Sequence, residues 1–448
     1  MQITASNPGL SDQAPDLRQK IEDSTAVVGV VGIGYVGLPL AVEKAKVGYR
    51  VFGYDRNAIR VAQINQGCNY IRDVIDDELS KMVATERLSA TTDFSTLGNC
   101  DVIVVCVPTP LTVNKDPDIS YIRSVGAEIA HRLRPGQLIC LESTTYPGTT
   151  EEVLLPYFAA TGLVVGKDYF LAYSPERVDP GNKRYTTQNT NKIVSGVTAN
   201  CLDIAAAFYS KTIVNVLKVS SPRVAEITKV FENTFRAVNI ALVNEMALLC
   251  DRMGIDIWEV MDAAGTKPFG IMRFNPGPGV GGHCIPLDPF YLAWKARQYD
   301  FHTRFIELAG EINASMPYFV RDKVARTLND RGQALKGSKI LMLGMSYKKD
   351  IPDWRESPAL KILELLTLSG ATADYHDPFV PSFQDQQGAV HHSIPLNPRA
   401  ISDADCVVIT TDHSQTDWDM VVRHAKVIVD TRNATKHVSS NRSNVILL

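Results

Sequence analysis

Three glycines that directly follow an apolar run restrict the fold of this chain more than any other feature. After the run AVVGVV, the residues Gly32, Gly34 and Gly37 form a G-x-G-x-x-G pattern that opens the amphipathic stretch VGLPLAVEKAKVG. Tyr35 and Val36 lie within the same turn. In a strand–turn–helix unit, such glycines allow a tight turn, close approach of a pyrophosphate and close packing of helix on strand. The pattern therefore predicts a dinucleotide-binding βαβ unit.

A carboxylate after the next strand indicates which dinucleotide is bound. Asp55 lies 21 residues beyond Gly34, at the end of the run RVFGYD. A carboxylate in this position accepts hydrogen bonds from the adenosine ribose hydroxyls and repels a 2′-phosphate. NAD is therefore the favoured cofactor, whereas the adjacent Arg56, which could pair with such a phosphate, leaves NADP as an alternative.

Apolar runs alternate with helical patterns along most of the chain, which predicts an α/β fold. The runs DVIVVCVP, QLICLES, YFLAYSP and NKIVSGV predict a parallel doubly wound sheet, and the same alternation returns from KILMLGMSY onward. We therefore predict two Rossmann-like domains, joined by a long central helix from Ser221 to about Gly254 and a helical spacer domain. The predicted divisions are a loose polar arm at 1–25, an NAD-binding domain at 26–216, a central helical domain at 217–330 and a second nucleotide-binding domain at 331–448.

Charge and composition exclude several classes of protein. The 448 residues are 45% hydrophobic and carry a formal net charge of -3, so no basic surface for nucleic acid is expected. No apolar stretch reaches the roughly 18–20 residues that span a membrane, and no signal peptide is evident, so we expect a cytoplasmic protein. The cysteine spacings match no zinc pattern, so no metal site is predicted, and most cysteines, such as Cys106, Cys140 and Cys406, should be buried.

A thiol on a glycine-rich loop is a candidate for covalent chemistry. Cys284 lies in GPGVGGHCIPLDP, with Asp288 four residues further on, and such a loop lets a substrate approach closely. From the pattern alone, a catalytic role and a packing role are both open. Lys229 and Asn233 lie four residues apart on the long helix, a spacing for which a solvent-exposed face is the more typical outcome. The hydroxyl-rich segment ESTTYPGTT ends a strand where open α/β sheets bind ligands, with helix capping as the alternative.

The long helix has more apolar positions than the core of one domain requires. They recur every three or four residues, which predicts a continuous apolar stripe and a homodimer or higher homo-oligomer built on it. The positions are Val224, Ile227, Val230, Phe231, Phe235, Val238 and Leu242.

Six segments, in this order, closely resemble the nucleotide-sugar 6-dehydrogenases of the UDP-glucose/GDP-mannose dehydrogenase family. They are GIGYVGLPLA, CVPTP, ESTTYPGTT, SPERVDPGN, GPGVGGHCIPLDPFYL and MSYKKDIPDWRESPAL. The GGHC loop resembles the branch that acts on UDP-N-acetylhexosamines, since other branches usually carry GGSC. The resemblance implies a UDP-sugar substrate, with UDP-N-acetylglucosamine ahead of UDP-N-acetylmannosamine, and a place in polysaccharide or lipopolysaccharide biosynthesis.

The resemblance also assigns roles to positions of this chain. It makes Cys284 the nucleophile and makes Lys229 and Asn233 the pair that stabilises the oxyanion. Asp288 would position a proton acceptor. Thr144 and Glu176 would hold the catalytic water. The further cofactor-binding positions that it implies are Pro108, Thr109, Ser143, Thr144 and Arg355. The further substrate-binding positions are Arg177, Val178, Phe274, Gly277, Gly279, Gly281, Tyr347, Lys348 and Arg432.

The implied reaction converts a primary alcohol to a carboxylate, through a thiohemiacetal and then a thioester on Cys284. It removes four electrons, so two NAD act in turn. Two other classes compete with this hypothesis. A 3-hydroxyacid dehydrogenase, with one Rossmann domain and one helical domain, would form a single NADH per product. A nucleotide-binding regulatory protein would form none.

Overall fold

The computed structural model of the chain describes residues 14–71, 74–112, 114–177, 184–282, 284–385 and 387–448. Within these residues the chain divides into two compact units. The first contains the residues up to Glu232 together with Trp294–Phe301, and the second contains Asn233–Ala293 together with His302–Leu448.

The first unit alternates strands and helices from its start. Its elements are α1 (Ala14–Glu22), β1 (Val27–Val31), α2 (Gly37–Lys46), β2 (Arg50–Tyr54), α3 (Ala58–Asn65), α4 (Asp76–Ala84), β3 (Leu88–Thr91), β4 (Val102–Val105), α5 (Ser120–Ala130), β5 (Gln137–Leu141), α6 (Leu155–Ala159), β6 (Tyr169–Tyr173), β7 (Lys192–Gly196), α7 (Ala199–Ser210) and β8 (Val216–Lys218). Short 3-10 and π-helical turns cover Phe94–Asn99 and Thr150–Leu154. Side-chain caps begin several helices; the Asn57 side chain, for example, accepts the amides of Ile59 and Arg60 at the start of α3.

The sheet of the first unit has the strand order β3-β2-β1-β4-β5-β6-β7-β8. Its central strands β4 and β5 are buried along their whole length, as expected for parallel strands that helices cover on both faces. The prediction of a wholly parallel sheet was wrong at one place, because β7 runs antiparallel to β6, with Tyr173 paired to Ser195. Both orientations bury the same apolar residues, so periodicity alone does not distinguish them.

The polar N-terminal stretch contains a helix where we predicted a loose arm. Helix α1 packs Leu17 and Ile21, which are one turn apart, into the core of the first unit. The hydroxyl of Tyr49 donates to the carbonyl of Ile21 at 2.9 Å and so fixes the end of the helix. Two apolar residues among polar ones give too short a pattern for sequence periodicity to reveal. Residues 1–13 of the predicted arm lie outside the described residues.

After β8, the described residues form a run of helices. They are α8 (Pro222–Met253), α9 (Ile257–Ala264), α10 (Asp288–Ala296) and α11 (Arg304–Asn329), with a 3-10 turn at Arg297–Tyr299. Helix α8 spans nearly the whole stretch predicted as the long central helix. Its C-terminal part packs Val243, Ala247 and Cys250 with Trp258 of α9 in one small core.

The second unit ends in another αβ arrangement. Its elements are β9 (Lys339–Leu343), α12 (Pro358–Leu368), β10 (Thr372–His376), β11 (Ser382–Gln384), β12 (Val390–His392), α13 (Pro398–Asp403), β13 (Cys406–Ile409), α14 (Trp418–His424), β14 (Ile428–Asp430) and β15 (Val445–Leu447), with a 3-10 turn at Ala434–His437. The sheet order is β10-β9-β13-β14-β15, all parallel, and β11 and β12 form a separate hairpin.

These observations confirm the predicted fold class of two Rossmann-like sheets linked by a long helix and further helices. Cys106, Cys140 and Cys406 are buried, as predicted. Across the described part of the chain, no helix combines the length and the apolar character needed to cross a membrane.

Candidate active site

The glycine turn between β1 and α2 has room for a ligand on one side only. Gly32 has φ of +88°, and a side chain there would clash with the carbonyl oxygen of Cys106. A side chain at Gly37 would clash with the carbonyl oxygen of Gly32. At Gly34, by contrast, a Cβ atom would meet no described atom within 4 Å. Packing within the protein does not require that glycine, so its open side at the start of α2 fits the approach of a pyrophosphate.

Asp55 lies beside this turn, directly after β2. Its Oδ2 accepts the amide of Ile33 at 3.2 Å, its Oδ1 accepts the amide of Asn57 at 2.9 Å, and its side chain stays partly exposed. The Nη2 of the adjacent Arg56 donates to Ser124 Oγ of α5 at 2.7 Å. Tyr35 is exposed and Val36 half-buried at the turn itself. The Arg60 guanidinium lies 3.7 Å from Asp55 Oδ2 on its partly exposed side. The geometry therefore places the Asp55 carboxylate, paired with Arg60, next to the turn.

The loops after β4 and β5 are tied together by hydroxyl groups. Thr109 Oγ1 donates to the carbonyl of Thr144 at 2.7 Å, and Ser143 Oγ donates to the carbonyl of Val107 at 2.7 Å. Pro108 is exposed between these contacts. Since β1, β4 and β5 are neighbours in the sheet, these loops lie along the same C-terminal edge as the glycine turn.

A buried ion cluster lies beneath this edge. Lys192 Nζ is 2.9 Å from Glu142 Oε2 and 3.5 Å from Glu176 Oε2. The hydroxyl of Tyr209 donates to Glu142 Oε1. Our sequence analysis predicted Glu176 but missed Glu142, Lys192 and Tyr209. The available signal was a carboxylate directly after five buried strand residues, where an uncompensated charge is costly.

The predicted pair on α8 is buried rather than exposed. Lys229 and Asn233 are at most 9% exposed, which overturns the solvent-exposed alternative. One turn earlier, the fully buried Glu226 accepts the amides of Gly148 and Thr150 and the Thr150 hydroxyl. Burial raises the pKa of Glu226 to about 7, against the opposing effect of these hydrogen bonds. Glu226 thereby anchors the loop that carries Thr144 to the helix that carries Lys229.

Arg177 is engaged within the first unit. Its Nη2 and Nε donate to the Glu232 carboxylate at 2.5 and 3.3 Å, and its Nη1 donates to the Asn191 carbonyl at 2.7 Å. Its backbone amide donates to Glu176 Oε1 at 2.8 Å. That Arg177 contacts substrate stays a prediction. Val178 lies outside the described residues.

In the second unit, Cys284 is exposed and adjoins a hydrogen-bonded carboxylate. The carbonyl of Cys284 accepts the amides of Leu287 and Asp288 at 3.1 and 2.8 Å, forming a turn that leads into α10. Asp288 is buried, and its Oδ2 accepts Asn233 Nδ2 at 2.5 Å. The structure thus joins two of the predicted catalytic residues, Asn233 and Asp288, and holds Asp288 one turn from the thiol.

The glycines before Cys284 pack against Tyr347. A side chain at Gly281 would approach Tyr347 Cβ, and one at Gly282, where φ is +94°, would approach the Tyr347 ring. Lys348 is half-buried next to Tyr347. The guanidinium of Arg355 is paired with both oxygens of Asp353 at 2.9 and 2.8 Å. That Arg355 also reaches NAD stays a prediction.

Arg432 lies against the start of the same loop. Its Nε donates to the Thr410 carbonyl at 3.0 Å, and a Cβ at Gly277 would lie 2.6 Å from its Nη1. Burial lowers the pKa of Arg432, although nearby aspartates oppose this. Asn244 Oδ1 accepts the Gly277 amide at 3.0 Å and holds the loop in place.

Two other loop positions have structural contacts. Phe274 packs edge-on against the Phe235 ring, with the centroids 6.0 Å apart, and joins the core of α8 and α9. Gly279 has φ of +132°, and a Cβ there would approach Pro358 and Asn313. Both contacts shape the loop, and the predicted role of these residues in binding substrate stays a prediction.

Comparison with known families matches most of the chain. Residues 26–213 match the NAD binding domain, residues 223–315 the central domain and residues 341–437 the UDP binding domain of the UDP-glucose/GDP-mannose dehydrogenase family. The first match confirms NAD as the cofactor predicted from the glycine turn and Asp55. The third match argues against a hydroxyacid dehydrogenase that has only a Rossmann and a helical domain.

Individual relatives share about a third of the residues. The chain is 36% identical to UDP-N-acetyl-D-glucosamine 6-dehydrogenase of Pseudomonas aeruginosa, over 87% of this chain and 90% of that protein. It is 35% identical to UDP-N-acetyl-D-mannosamine dehydrogenase of Pyrococcus horikoshii, over 91% of this chain and 96% of that protein. A solved structure of UDP-D-ManNAc dehydrogenase from Pyrococcus horikoshii superposes with a TM-score of 0.85 at 32% identity, covering 94% of this chain and 98% of that chain.

Proposed function

We propose that this chain, which belongs to the UDP-glucose/GDP-mannose dehydrogenase family, oxidises the C6 hydroxymethyl of a UDP-N-acetylhexosamine to a carboxylate, with UDP-N-acetylglucosamine as the favoured substrate. The observation that carries the proposal is the exposed Cys284, whose carbonyl accepts the amide of the buried Asp288. A packing cysteine would be enclosed by apolar side chains, whereas a nucleophile must be reachable by substrate.

NAD, when bound, accepts one hydride from C6 in each of two successive oxidations. The protein supplies the turn at Gly34 and the Asp55 carboxylate for this cofactor. Overall, one alcohol, two NAD and one water give one carboxylate, two NADH and three protons. The Arg432 guanidinium and the Gly277 loop are the groups that we assign to the diphosphate and the uridine.

The covalent step belongs to Cys284. Its thiolate adds to the C6 aldehyde, forming a C–S bond and an oxyanion, which Lys229 and Asn233 stabilise by about 3 kcal/mol per donor. The resulting thiohemiacetal is a good hydride donor, because collapse of its oxygen to a carbonyl expels the second hydride and leaves a thioester. The aldehyde is therefore retained on the protein between the two oxidations.

Hydrolysis completes the reaction. A water held by Thr144 and Glu176 adds to the thioester carbonyl, and Glu176 takes its proton. The C–S bond then breaks, the Cys284 thiolate leaves, and the carboxylate is released. In the first oxidation the C6 hydroxyl also loses a proton, and we assign to Asp288, whose Oδ2 accepts Asn233 Nδ2 at 2.5 Å, the role of positioning the acceptor of that proton.

The sugar is tested by a panel of UDP-GlcNAc, UDP-ManNAc, UDP-GalNAc and UDP-glucose, compared by the initial rate of NADH formation at 340 nm. We expect the highest rate with UDP-GlcNAc and two NADH per acid. The relatives at 36% and 35% identity support UDP-GlcNAc and UDP-ManNAc respectively, so a higher rate with UDP-ManNAc would reassign the sugar within the same chemistry. One NADH per sugar consumed, or none with any sugar, would overturn the proposal.

The covalent step is tested with Cys284→Ser, which should stop acid formation because an alkoxide from serine is far less accessible than a thiolate. Cys68→Ser is the matched control, since Cys68 is the other exposed cysteine. Acid formation at the wild-type rate by Cys284→Ser would contradict the covalent step.

We also propose that the exposed stripe on α8 binds a second copy of the chain. Phe231 is 62% exposed and Leu242 54%, and the neighbouring stripe positions Val224, Ile227 and Phe235 are each at least 39% exposed. Val230, which we had included in the stripe, is fully buried in the core. An apolar face of this length in water favours association.

Sedimentation velocity tests this association. The wild type should be a dimer or higher oligomer, and Phe231→Asp should dissociate it. The control Ile59→Asp, on the exposed side of α3, should leave the oligomer intact, and a wild-type monomer would refute the proposal.

A further inference from the structure

Three ionisable side chains meet at the ends of three neighbouring strands of the first unit. Glu142 directly follows β5, Glu176 follows β6, and Lys192 opens β7. The Lys192 ammonium lies between the two carboxylates, 2.9 Å from Glu142 Oε2 and 3.5 Å from Glu176 Oε2. One cation therefore serves two anions.

The two carboxylates differ in their access to water. The Glu142 side chain is 0% exposed, whereas that of Glu176 is 16% exposed. Both Glu142 oxygens are occupied, Oε2 by Lys192 and Oε1 by the hydroxyl of the fully buried Tyr209. Glu142 thus acts as a fixed anchor, and Glu176 is the member of the cluster that reaches toward solvent.

The charge on Lys192 is well supported by its surroundings. Burial by itself lowers the pKa of Lys192, but the carboxylates of Glu142 and Glu176 outweigh it and raise the pKa above its ordinary value. Burial also raises the pKa values of the neighbouring Cys106 and Cys140 thiols, so these stay neutral. The cluster is further surrounded by Lys44 from α2, Tyr209 from α7, and the Arg177–Glu232 ion pair next to Glu176.

An ion pair inside a protein is not stabilising merely because it exists, since desolvation offsets most of the attraction. Apolar side chains at positions 142 and 192 could pack together at the ends of β5 and β7 without burying any charge. The present arrangement instead places a permanent positive charge beneath a partly exposed carboxylate. Glu176 Oε1 accepts the Arg177 amide at 2.8 Å while Oε2 faces Lys192, so the plane of the carboxylate is held from both sides.

We propose that Lys192, anchored by Glu142 and Tyr209, is a positioning residue that keeps the Glu176 carboxylate ionised and oriented toward the hydrolytic water. This inference rests on the proposed function, in which Glu176 takes a proton from that water. The ammonium does not touch the substrate in this role, and it acts only through Glu176. An opposite charge at such a distance lowers the pKa of a carboxyl group by about 1–3 units.

The test is the pH dependence of thioester hydrolysis in a single turnover, followed by intact-protein mass spectrometry of the Cys284 adduct. In Lys192→Met, the two-NADH burst should keep its amplitude, while the pH of half-maximal hydrolysis rises by about 1 unit or more, so that the adduct accumulates at pH values where the wild type still hydrolyses it. In Glu142→Gln, Lys192 is no longer shared with a second carboxylate, so the same midpoint should stay or fall.

The double variant Lys192→Met/Glu142→Gln separates this role from a structural one. Lys192→Met leaves a buried carboxylate without its cation and should lower Tm, whereas the double variant removes both charges and should recover Tm while its midpoint stays above that of Glu142→Gln. Lys295→Met is the control: it removes another buried lysine of the first unit, whose ammonium lies 2.6 Å from the partly exposed Glu152, and should lower Tm without moving the midpoint.

Recovery of Tm in the double variant together with a midpoint equal to that of Glu142→Gln would overturn the inference and leave Lys192 as a structural residue. Failure of the proposed function is a separate result, because the wild-type protein would then form no Cys284 adduct and no two-NADH burst.

Discussion

In each Rossmann-like sheet a carboxylate follows the strand that pairs with the first strand of that sheet: Asp55 follows β2, which pairs with β1, and Asp377 follows β10, which pairs with β9. The two carboxylates have opposite surroundings. Asp55, after β2, accepts the amide of Ile33 at 3.2 Å and keeps 13% of its side chain exposed. Asp377, after β10, accepts the amides of Met345 and Ser346 at 2.7 and 2.9 Å and is 0% exposed. An equivalent position in the fold is therefore open to a ligand in one sheet and sealed in the other.

The covering group is His413, which is itself 1% exposed. Its Nδ1 accepts the amide of Asp350 at 3.0 Å, so Nε2 carries the proton and donates to Asp377 Oδ2 at 3.0 Å. The turn after β9 retains a first glycine, Gly344, with φ of +94°. The residues that follow it in GMSYKKD lack the second and third glycines of the G-x-G-x-x-G pattern. Strand order therefore creates the crevice, while the turn residues and the cover over the carboxylate decide what the crevice binds.

The largest expected effect tests the open turn. Gly34→Val places side-chain atoms where the pyrophosphate approaches, and we expect NAD affinity to fall on the order of 1,000-fold, about 4 kcal/mol, in calorimetric titration. The Tm should hardly change, because a Cβ at Gly34 meets no described atom within 4 Å. Gly37→Ala is the contrasting variant and should lower Tm as well, since its Cβ would meet the Gly32 carbonyl. Normal NAD binding by Gly34→Val would break the comparison.

The next effect tests the sealed carboxylate. Asp377→Asn should destabilise the protein by about 2–4 kcal/mol in urea unfolding, because an amide cannot accept all the hydrogen bonds that converge on the buried carboxylate. NAD affinity should be unchanged. The matched variant Asp55→Asn should do the reverse, weakening NAD binding by about tenfold with a stability change below about 1 kcal/mol. Equal effects of the two variants on stability would remove the distinction.

The pH dependence of stability sharpens the same contrast. Burial raises the pKa of Asp377, but hydrogen bonds from His413 and from the amides of Ser346 and Phe379 outweigh it and hold the pKa below its ordinary value. This contribution to stability is therefore present above the unfolded pKa, about 3.9, and is lost as the pH falls through the folded pKa. The difference in unfolding free energy between wild type and Asp377→Asn should shrink below about pH 4; a constant difference would contradict this.

The smallest effect concerns the residue after Asp55. The Arg56 guanidinium donates to Ser124 at 2.7 Å, so Arg56→Ala should change the KM for NAD by less than about twofold. NADP should remain a poor cofactor, because Asp55 repels its 2′-phosphate. The contrary outcome is appreciable NADP activity in the wild type that Arg56→Ala abolishes. It would show that the guanidinium turns toward the cofactor.

Both turns also show how far sequence reasoning extends. The glycine turn and Asp55 lie within one βαβ unit, and local spacing was enough to predict their arrangement and the cofactor. The α1 helix was missed because only Leu17 and Ile21 mark it, and the antiparallel β7 was missed because burial looks the same in either direction. For the covalent chemistry, spacing left Cys284 undecided, and the resemblance to a family supplied the hypothesis.

By itself, the sequence determined the elements whose cause is local, because strand and helix periodicity, glycine turns and helix caps act over a few residues. Only the tertiary structure decided which distant side chains meet: Glu142 with Lys192, Asn233 with Asp288, and Asp377 with His413. The physical reason is that a buried charge is tolerated only beside a partner, and that partner is brought to it by the order of the strands and the packing of the helices rather than by its distance along the chain.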